Sequence, residues 1–478
     1  MQELSVQAVA EGAGGRIVRG PAHGRLTGVS TDSRSVRPGD LFVALVGPRF
    51  DGHDFVGQAV ERGAAAVLVS SRRAGALPPG EYAAVAVEET LEGLQRLAAW
   101  YRRRLAVRVV AVTGSVGKTT TKEMTAAILG RVGPTVRAPA SFNNDVGVPL
   151  AILMASDETR YLVLEIAMRG LGQIRHLGRL ALPSVGVVTN VGESHVGVLG
   201  SVEAIARAKA ELVEVLEAGG AAVLNADDPR VVAMRARARS GVRVITFGTS
   251  GAADVRVQHV EGGGLLGTRF ELAVRDGPTI PCHVPIPGRH LALDAAAAAA
   301  ASLACGVDPA AVPAGLAEFA GASMRMETVP GPGDVLIIND AYNASPASMR
   351  AALETLERIA AERRSRAVAV LGDMLELGEL AREAHRSVGE EAARRGVAVL
   401  VATGSMAAWT AEGARRAAGG GQVDVVVASD AGEAAARVTG IVRPGDTVLV
   451  KGSRAVGLER VVQALASAQD AAPGKEVP

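Results

Sequence analysis

Short, almost wholly apolar runs recur along the chain, separated by stretches whose apolar residues return at helical spacing. Between residues 1 and 106 the runs are "DLFVAL" and "AAAVLVS", set among turn residues. From 107 to 325 they are "RVVAV", "YLVLEI", "SVGVVT", "AAVLN" and "VRVITF". From 326 to 466 the habit repeats in "DVLIIND", "RAVAVLG", "VAVLVATG", "VDVVVAS" and "DTVLVKG". Runs of this length, apolar on both faces and alternating with helices, predict βαβ units around mostly parallel sheets. The expected fold class is therefore α/β, in three domains: 1–106, 107–325 and 326–466. The last of these reads as a second, Rossmann-like sheet. The polar, Pro- and Gly-containing end at 467–478 predicts a disordered tail.

One helical stretch is unusual. "SVEAIARAKAELVEVLEAGG" predicts a helix opened by Ser201, with Val202, Ile205, Leu212 and Leu216 as its apolar stripe. Glu203, Arg207, Glu211 and Glu214 are expected on the opposite, solvent face. Lys209 falls on the apolar stripe. Either its stem packs while the amine reaches water, or the amine is desolvated, paired or chemically altered.

Composition narrows the class. The chain has 478 residues and is 48% hydrophobic, with only 3% aromatic residues. That suits closely packed helices on parallel strands. A formal net charge of +1 and the lack of a long basic run give no reason to expect nucleic acid or a membrane surface as partner. Two cysteines, Cys282 and Cys305, make neither a disulfide framework nor a zinc cluster. The start "MQELSVQAVAEGAGGR" lacks the basic and apolar regions of a signal peptide, and "LALDAAAAAAASLAC" is too short to span a bilayer. The expected location is cytoplasmic.

Candidate chemistry collects after the runs, where open parallel sheets bind ligands. Strand "RVVAV" leads into Thr113-Gly114-Ser115-Val116-Gly117-Lys118-Thr119 and then a helix. That is the setting of a phosphate cradle, in which backbone N–H groups and a helix N-terminus attract anions. Lys118 would reach the β and γ phosphates, and Thr119 would offer its hydroxyl to magnesium. The common G-x-x-x-x-G-K-[ST] spacing requires glycine at 112, where Val112 stands. Glu165 closes "YLVLE", as a magnesium-paired carboxylate or an exposed strand-end acid. Asn190 and His195 follow "SVGVVT"; Asn225 and Asp227 follow "AAVL". His195 reads either as an ordinary loop histidine or as a metal or phosphate contact. "GVSTDSRSVRPGDLFVAL" sets Asp32 and Arg34 among small hydroxyls, as a polar turn or a diphosphate or sugar site. "NDAYNASPASM", "VLGDMLELGE" and "LVKGSR", with Lys451 and Arg454, are further strand-end motifs.

In this order the motifs resemble the Mur ligases, which build the peptide of bacterial cell-wall precursors. The likeness extends from about residue 26 to residue 463, and "TGSVGKTT" is the family's own form of the loop. "STDSRSVRPGDLFVALVGPRFDGHDF" resembles a uridine-nucleotide-binding start. "NNDVGVP", "TNVGESHVG" and "AKAEL" resemble the central domain. "NDAYNASPASM", "LGDMLELGE" and "VKGSR" resemble the D-alanyl-D-alanine-adding branch. The ligase adding the third amino acid usually carries D-N-P-R in its last domain, which is missing here.

The resemblance implies an N-terminal UDP-substrate domain, a central P-loop ATPase-type domain and a C-terminal Rossmann-like ligase domain. It implies ATP and Mg2+ as cofactors, and UDP-N-acetylmuramoyl-tripeptide and D-alanyl-D-alanine as substrates. ATP would phosphorylate the tripeptide carboxylate, and the dipeptide amine would attack the acyl phosphate. Gly114, Ser115, Val116, Gly117, Lys118, Thr119 and Thr120 would hold ATP, with Asn225 and Asp227 near the adenine. Arg325, Asp340, Tyr342 and Asn343 would close over the nucleotide. Ser30, Thr31, Asp32, Ser33, Arg34, Asn143, Asn144 and Asp145 would bind substrate. Thr119, Glu165, His195 and Lys209 would serve the metal sites, Lys209 as a carbamylated, anionic ligand. Lys118, His195 and Lys209 would be the catalytic set, in a monomer. Departures from the family are Leu291 and Asp294 in "GRHLALDA", where asparagines are usual, Ala167 in "EIAMRG", and "NAS" at 343–345. The competing readings are the third-amino-acid ligase, a phosphate-loop switch or motor ATPase, and an inactive homologue.

Overall fold

The structure is a computed structural model that describes residues 3–139, 142–418 and 423–467. Each segment builds its own sheet. The first orders its strands Arg16–Arg19, Ala83–Val87, Ala66–Ser70, Asp40–Val43, Gly28–Ser30. Four of these are parallel and Arg16–Arg19 is antiparallel. The central sheet has nine strands. Thr135–Arg137, Tyr161–Glu165, Arg108–Thr113, Val185–Val188, Ala221–Asn225, Arg243–Gly248 and Val255–Gly264 run parallel in that order. The third orders Glu327–Pro330, Leu336–Asp340, Thr447–Lys451, Ala367–Gly372, Val399–Thr403, Asp424–Ala428, with only the first antiparallel. The α/β expectation thus holds, and each quoted run contains a strand.

Several strands lie outside the quoted runs, among them Thr135–Arg137, Val255–Gly264, Gly267–Val274 and Thr279–Val284 of the central sheet. Gly267–Val274 and Thr279–Val284 extend the central sheet antiparallel from Val255–Gly264. Their inner residues alternate with exposed polar ones, as in a strand with one wet face. The tail expected at 467–478 lies, except for Ser467 at the end of helix Glu459–Ser467, outside the described residues. Among the described residues no helix is long and apolar enough to cross a membrane.

Two helices position the site. The helix foreseen at Lys209 spans Val202–Glu214, and the Ser201 hydroxyl accepts from the Ala204 N–H as its cap, a contact worth about 1 kcal/mol. Ile205, Leu212 and Leu216 are fully buried; each such side chain contributes roughly 1.5–3 kcal/mol. The alanine run forms helix Leu291–Ala304, with Ala295 to Ala301 all at 0% exposure. Side chains this small let the helix lie close to the central strands and to helix Lys118–Gly130. Its first turn thereby brings Asp294 against the loop that starts the latter helix.

Candidate active site

The loop owes its shape to two glycines. Strand Arg108–Thr113 runs on through Val112, which is fully buried and paired with Glu165 and Val187. The turn starts only at Gly114 (φ 154°), where a Cβ would collide with the Thr189 hydroxyl. The helix starts after Gly117 (φ 81°), in the left-handed region where other residues are strained. Hence glycine is needed at 114 and not at 112. Asn190 braces the turn: its Oδ1 accepts from Val116 N–H (3.0 Å) and its Nδ2 donates to Val116 O (3.1 Å).

The Lys118 amine folds over the loop, donating to the carbonyls of Gly114 (2.9 Å) and Ser115 (3.2 Å). Burial pushes its pKa down; Glu165 opposes this and the Arg325 charge adds to it. The Thr119 hydroxyl donates to Glu165 Oε2 (2.6 Å), and Asn143 Nδ2 donates to Oε1 (2.8 Å). Glu165 is 3% exposed. A hydroxyl and a buried carboxylate in contact at the loop are the hard oxygen donors that a small divalent cation takes. No group of three or more His, Cys, Asp or Glu able to hold a metal exists among the described residues. An ion here would therefore rely on phosphate and water oxygens for the rest of its shell, as magnesium commonly does.

The third sheet faces this loop. Lys451, at a strand end, donates to Asp340 Oδ2 (2.6 Å) and to Asn343 O (2.9 Å). The Arg325 guanidinium lies 4.2 Å from the centre of the Tyr342 ring. Both sides line one cavity of about 1020 Å³. Ser115 to Thr120, Asn143 to Asp145, Glu165 and His195 line it from the middle sheet. Arg325, Asp340, Tyr342, Asn343, Lys451 and Arg454 line it from the other side. His195 sits with φ 70°, its Nδ1 hydrogen-bonded to the Glu376 carboxylate. Burial pushes its pKa down, opposed by Glu376 and reinforced by the charges of Lys118 and Lys209.

Lys209 does not snorkel. It is 2% exposed and has no hydrogen-bond or ion-pair partner among the described residues. Burial, reinforced by the Lys118 charge, holds its pKa well below the usual lysine value. Such desolvation favours the neutral amine over the ammonium.

Other expected residues lie elsewhere or behave differently. Glu211, expected on the solvent face, is 2% exposed. Its two oxygens accept the N–H groups of Gly172 (2.7 Å) and Arg175 (3.0 Å), so it caps helix Gln173–Ala181 from a neighbouring helix. Those N–H groups are orphaned at a helix start, and satisfying them is what draws the carboxylate inward. Asn225 donates to Thr189 O and accepts from Asp227 N–H. Asp227 accepts from Thr249 N–H, the Thr249 hydroxyl and Ser250 N–H. Both are committed to turns and are absent from the cavity lining. In the first segment, Asp32 binds the Arg34 guanidinium at 2.7 and 2.9 Å. Those hydrogen bonds hold the Asp32 pKa at about 2. Ser30 and Ser33 bond to Ser35 and Gln58, and Thr31 also lies outside the cavity lining.

Two residues were missed as site residues. Glu376 lies in "LGDMLELGE", where nothing local separates it from its neighbouring acids. Asp294 stands in the sequence only as a departure from the family's usual asparagine. It lines the cavity at Gly117, where a Cβ would collide with its carboxylate. Burial pushes its pKa up to about 8, against the opposing Arg325 charge.

Known proteins share this architecture. The Mur ligase family catalytic domain matches residues 25–103, the Mur ligase middle domain 112–302, and the Mur ligase glutamate ligase domain 324–454. UDP-N-acetylmuramoyl-tripeptide–D-alanyl-D-alanine ligase of Mycobacterium bovis is 39% identical over 97% of this chain and 98% of its own. The crystal structure of MurF from Acinetobacter baumannii superposes with a TM-score of 0.85 at 30% identity, covering 98% of this chain and 99% of the other. The MurF ligase from Thermotoga maritima in complex with ADP gives 0.75 at 30% identity, covering 93% and 98%. With three family domains matched in order and a relative this similar along its whole length, the chain belongs to the Mur ligase family.

Proposed function

We propose that this chain is an ATP-dependent amide ligase that adds D-alanyl-D-alanine to UDP-N-acetylmuramoyl-tripeptide in peptidoglycan precursor synthesis. The observation that carries the reading is the single cavity lined by a phosphate loop on one side and by Arg325, Asp340, Tyr342 and Lys451 on the other. A motor or switch ATPase needs no such facing sheet. The full-length relative and the ADP-bound solved structure support the same reading.

The γ-phosphoryl group of ATP passes to the tripeptide carboxylate, releasing ADP. The dipeptide amine attacks the acyl phosphate, loses a proton, and the tetrahedral intermediate collapses to the amide and phosphate. Such transfers depend on positioning and charge neutralisation more than on covalent protein chemistry. The amine of Lys118 leaves the loop carbonyls to meet the β and γ phosphates, beside the N–H groups of the loop. Arg325 adds a second cation, held by stacking on Tyr342. Closure of the two sides keeps water from the acyl phosphate. Mg2+, held by Thr119, Glu165 and His195, would neutralise phosphate charge when bound. Lys209 in its neutral form takes up carbon dioxide: its nitrogen bonds to carbon and one proton is released, leaving a carbamate. That exchanges a buried, unpartnered amine for an anionic oxygen ligand.

We retain Ser30 to Arg34 as the uridine-nucleotide site and Asn143 to Asp145 as tripeptide contacts. The domain limits 1–106, 107–325 and 326–466, a monomeric state and a cytoplasmic location belong to the same proposal. Asn225 and Asp227 stay in the proposal as neighbours of the adenine, with side chains that brace the turns around it. The test is one coupled assay with ATP, Mg2+, both lysine- and diaminopimelate-type UDP-tripeptides, and several amino acids and D-dipeptides, with products identified by mass. ADP release that requires both the tripeptide and D-alanyl-D-alanine is expected. Comparable phosphate release from ATP alone would favour a switch or motor ATPase.

A further inference from the structure

We propose that Glu376 is a positioning residue that fixes the ring and tautomer of His195, so that the phosphate-loop site is complete only when the third sheet is docked on the middle one. The two residues are 181 positions apart, His195 in the loop after central-sheet strand Val185–Val188 and Glu376 in the loop after third-sheet strand Ala367–Gly372. Their carboxylate–imidazole hydrogen bond is backed by a main-chain one, Gly197 N–H to Glu376 O at 2.9 Å. Gly197 also packs so closely on Gly378 that a Cβ would collide with its backbone. The contact therefore involves the main chains of both segments and one pair of side chains.

Both partners are held in conformations that side-chain-bearing residues rarely adopt, His195 at φ 70° and Glu376 at φ 63°. Such outliers persist where the surroundings over-determine them, and here they do. Leading up to Glu376, Asp373 accepts from Ser405 and Met406 N–H groups. Met374 N–H donates to His385 Nε2 (2.9 Å), and Leu375 N–H donates to the Ser453 hydroxyl (3.0 Å). Each residue before Glu376 is thus tied to the third domain. On the other side, Gly192 N–H donates to the Ser115 hydroxyl (2.8 Å) and Ser115 N–H to Asn190 O (3.0 Å). The segment carrying His195 is tied to the phosphate loop. Glu376 and His195 are where these two braced segments meet.

With Nδ1–H given to the carboxylate, the lone pair of the neutral ring is on Nε2. Carboxylate partners set metal-ligating histidines in this way, and their loss typically weakens metal binding about 10- to 100-fold. The inference rests on the ligase reading only for the assignment of ATP and Mg2+ to this cavity. The tautomer can be read without turnover.

The experiment compares full-length wild type with Glu376→Ala and Glu376→Gln. Histidine tautomers are read by ¹⁵N spectra of histidine-labelled protein, with His195→Gln assigning the signal. The Mg2+ concentration giving half-maximal binding of a non-hydrolysable ATP analogue is measured by calorimetry. Glu376→Ala is expected to lose the Nδ1–H tautomer and to raise the Mg2+ requirement about 10-fold or more. Its thermal midpoint and its affinity for the UDP-tripeptide should stay near wild type. Glu376→Gln keeps an acceptor oxygen for Nδ1–H and should recover most of both signals. An unchanged tautomer with an unchanged Mg2+ requirement in Glu376→Ala would overturn the proposal. So would a Glu376→Gln enzyme as impaired as Glu376→Ala. If wild type fails to ligate while the tautomer shifts as expected, the ligase reading falls and the positioning role stands.

Discussion

Asp294 makes the stability of this protein depend on pH in the alkaline range, and Asp294→Asn should remove that dependence. The carboxyl of the half-buried Asp294 lies against Gly117, and desolvation pushes its pKa from 3.8 to about 8. Its folded-state pKa is raised, so the folded protein holds a proton that the unfolded chain has released. Stability from this group is fully present below pH 3.8 and declines as pH rises, until the folded carboxyl itself ionises near pH 8. Between pH 6 and pH 9 the unfolded state gains three units of ionisation free energy. The folded state recovers about one unit above its own pKa. At 1.36 kcal/mol per unit the loss is on the order of 3 kcal/mol. Urea unfolding of wild type and Asp294→Asn at pH 6, 7.5 and 9 measures it, with the difference between the two proteins isolating this one group. The variant should gain on wild type by a few kcal/mol across that range. Parallel pH profiles would refute the reasoning and mean that Arg325 keeps Asp294 ionised throughout. The affinity for an ATP analogue offers an independent reading. An ionised carboxylate beside the phosphate loop repels phosphate, so wild type should weaken above pH 8 more steeply than Asp294→Asn.

Lys118→Ala should lower ligation by on the order of 10²-fold or more, since it removes a charge that stabilises the transferring group. Titration with the UDP-tripeptide should show nearly unchanged affinity; wild-type turnover would sink the loop's role. Lys209→Ala should stay folded and lose most ligase activity, and acetate should restore part of it by placing an oxygen anion in the vacated space. Full activity without acetate would exclude a carbamate role. Glu211→Ala should destabilise the protein by roughly 1–3 kcal/mol, because two half-buried N–H groups at a helix start lose their acceptor. An unfolding midpoint equal to that of wild type would show that water replaces the carboxylate. Scattering should report a more compact particle with ATP analogue and UDP-tripeptide than without, since the cavity draws on two sheets; an unchanged profile would count against closure.

What the sequence determined by itself is local. Each apolar run contains a strand, most of them buried on both faces as parallel strands are, which leaves no polar alternation to blur the signal. The phosphate loop and the Ser201 cap were legible because their hydrogen bonds join residues a few positions apart. Lys209 stood out because a charge on an apolar stripe conflicts with helical periodicity. The antiparallel strands at Gly267–Val274 and Thr279–Val284 were missed because one wet face interleaves polar residues with apolar ones. Tertiary structure decided the rest. Glu211 has the periodicity of a surface acid, and only the arrival of helix Gln173–Ala181 supplies the orphaned N–H groups that bury it. Asp227 has the strand-end position of a ligand contact, yet the turn at Thr249 and Ser250 claims both its oxygens. Asp294 meets Gly117, and Glu376 meets His195, across 177 and 181 positions. No periodicity or spacing encodes such meetings, because they depend on how sheets and helices pack. Burial and partnership, which set the charge of every group in this cavity, are properties of that packing.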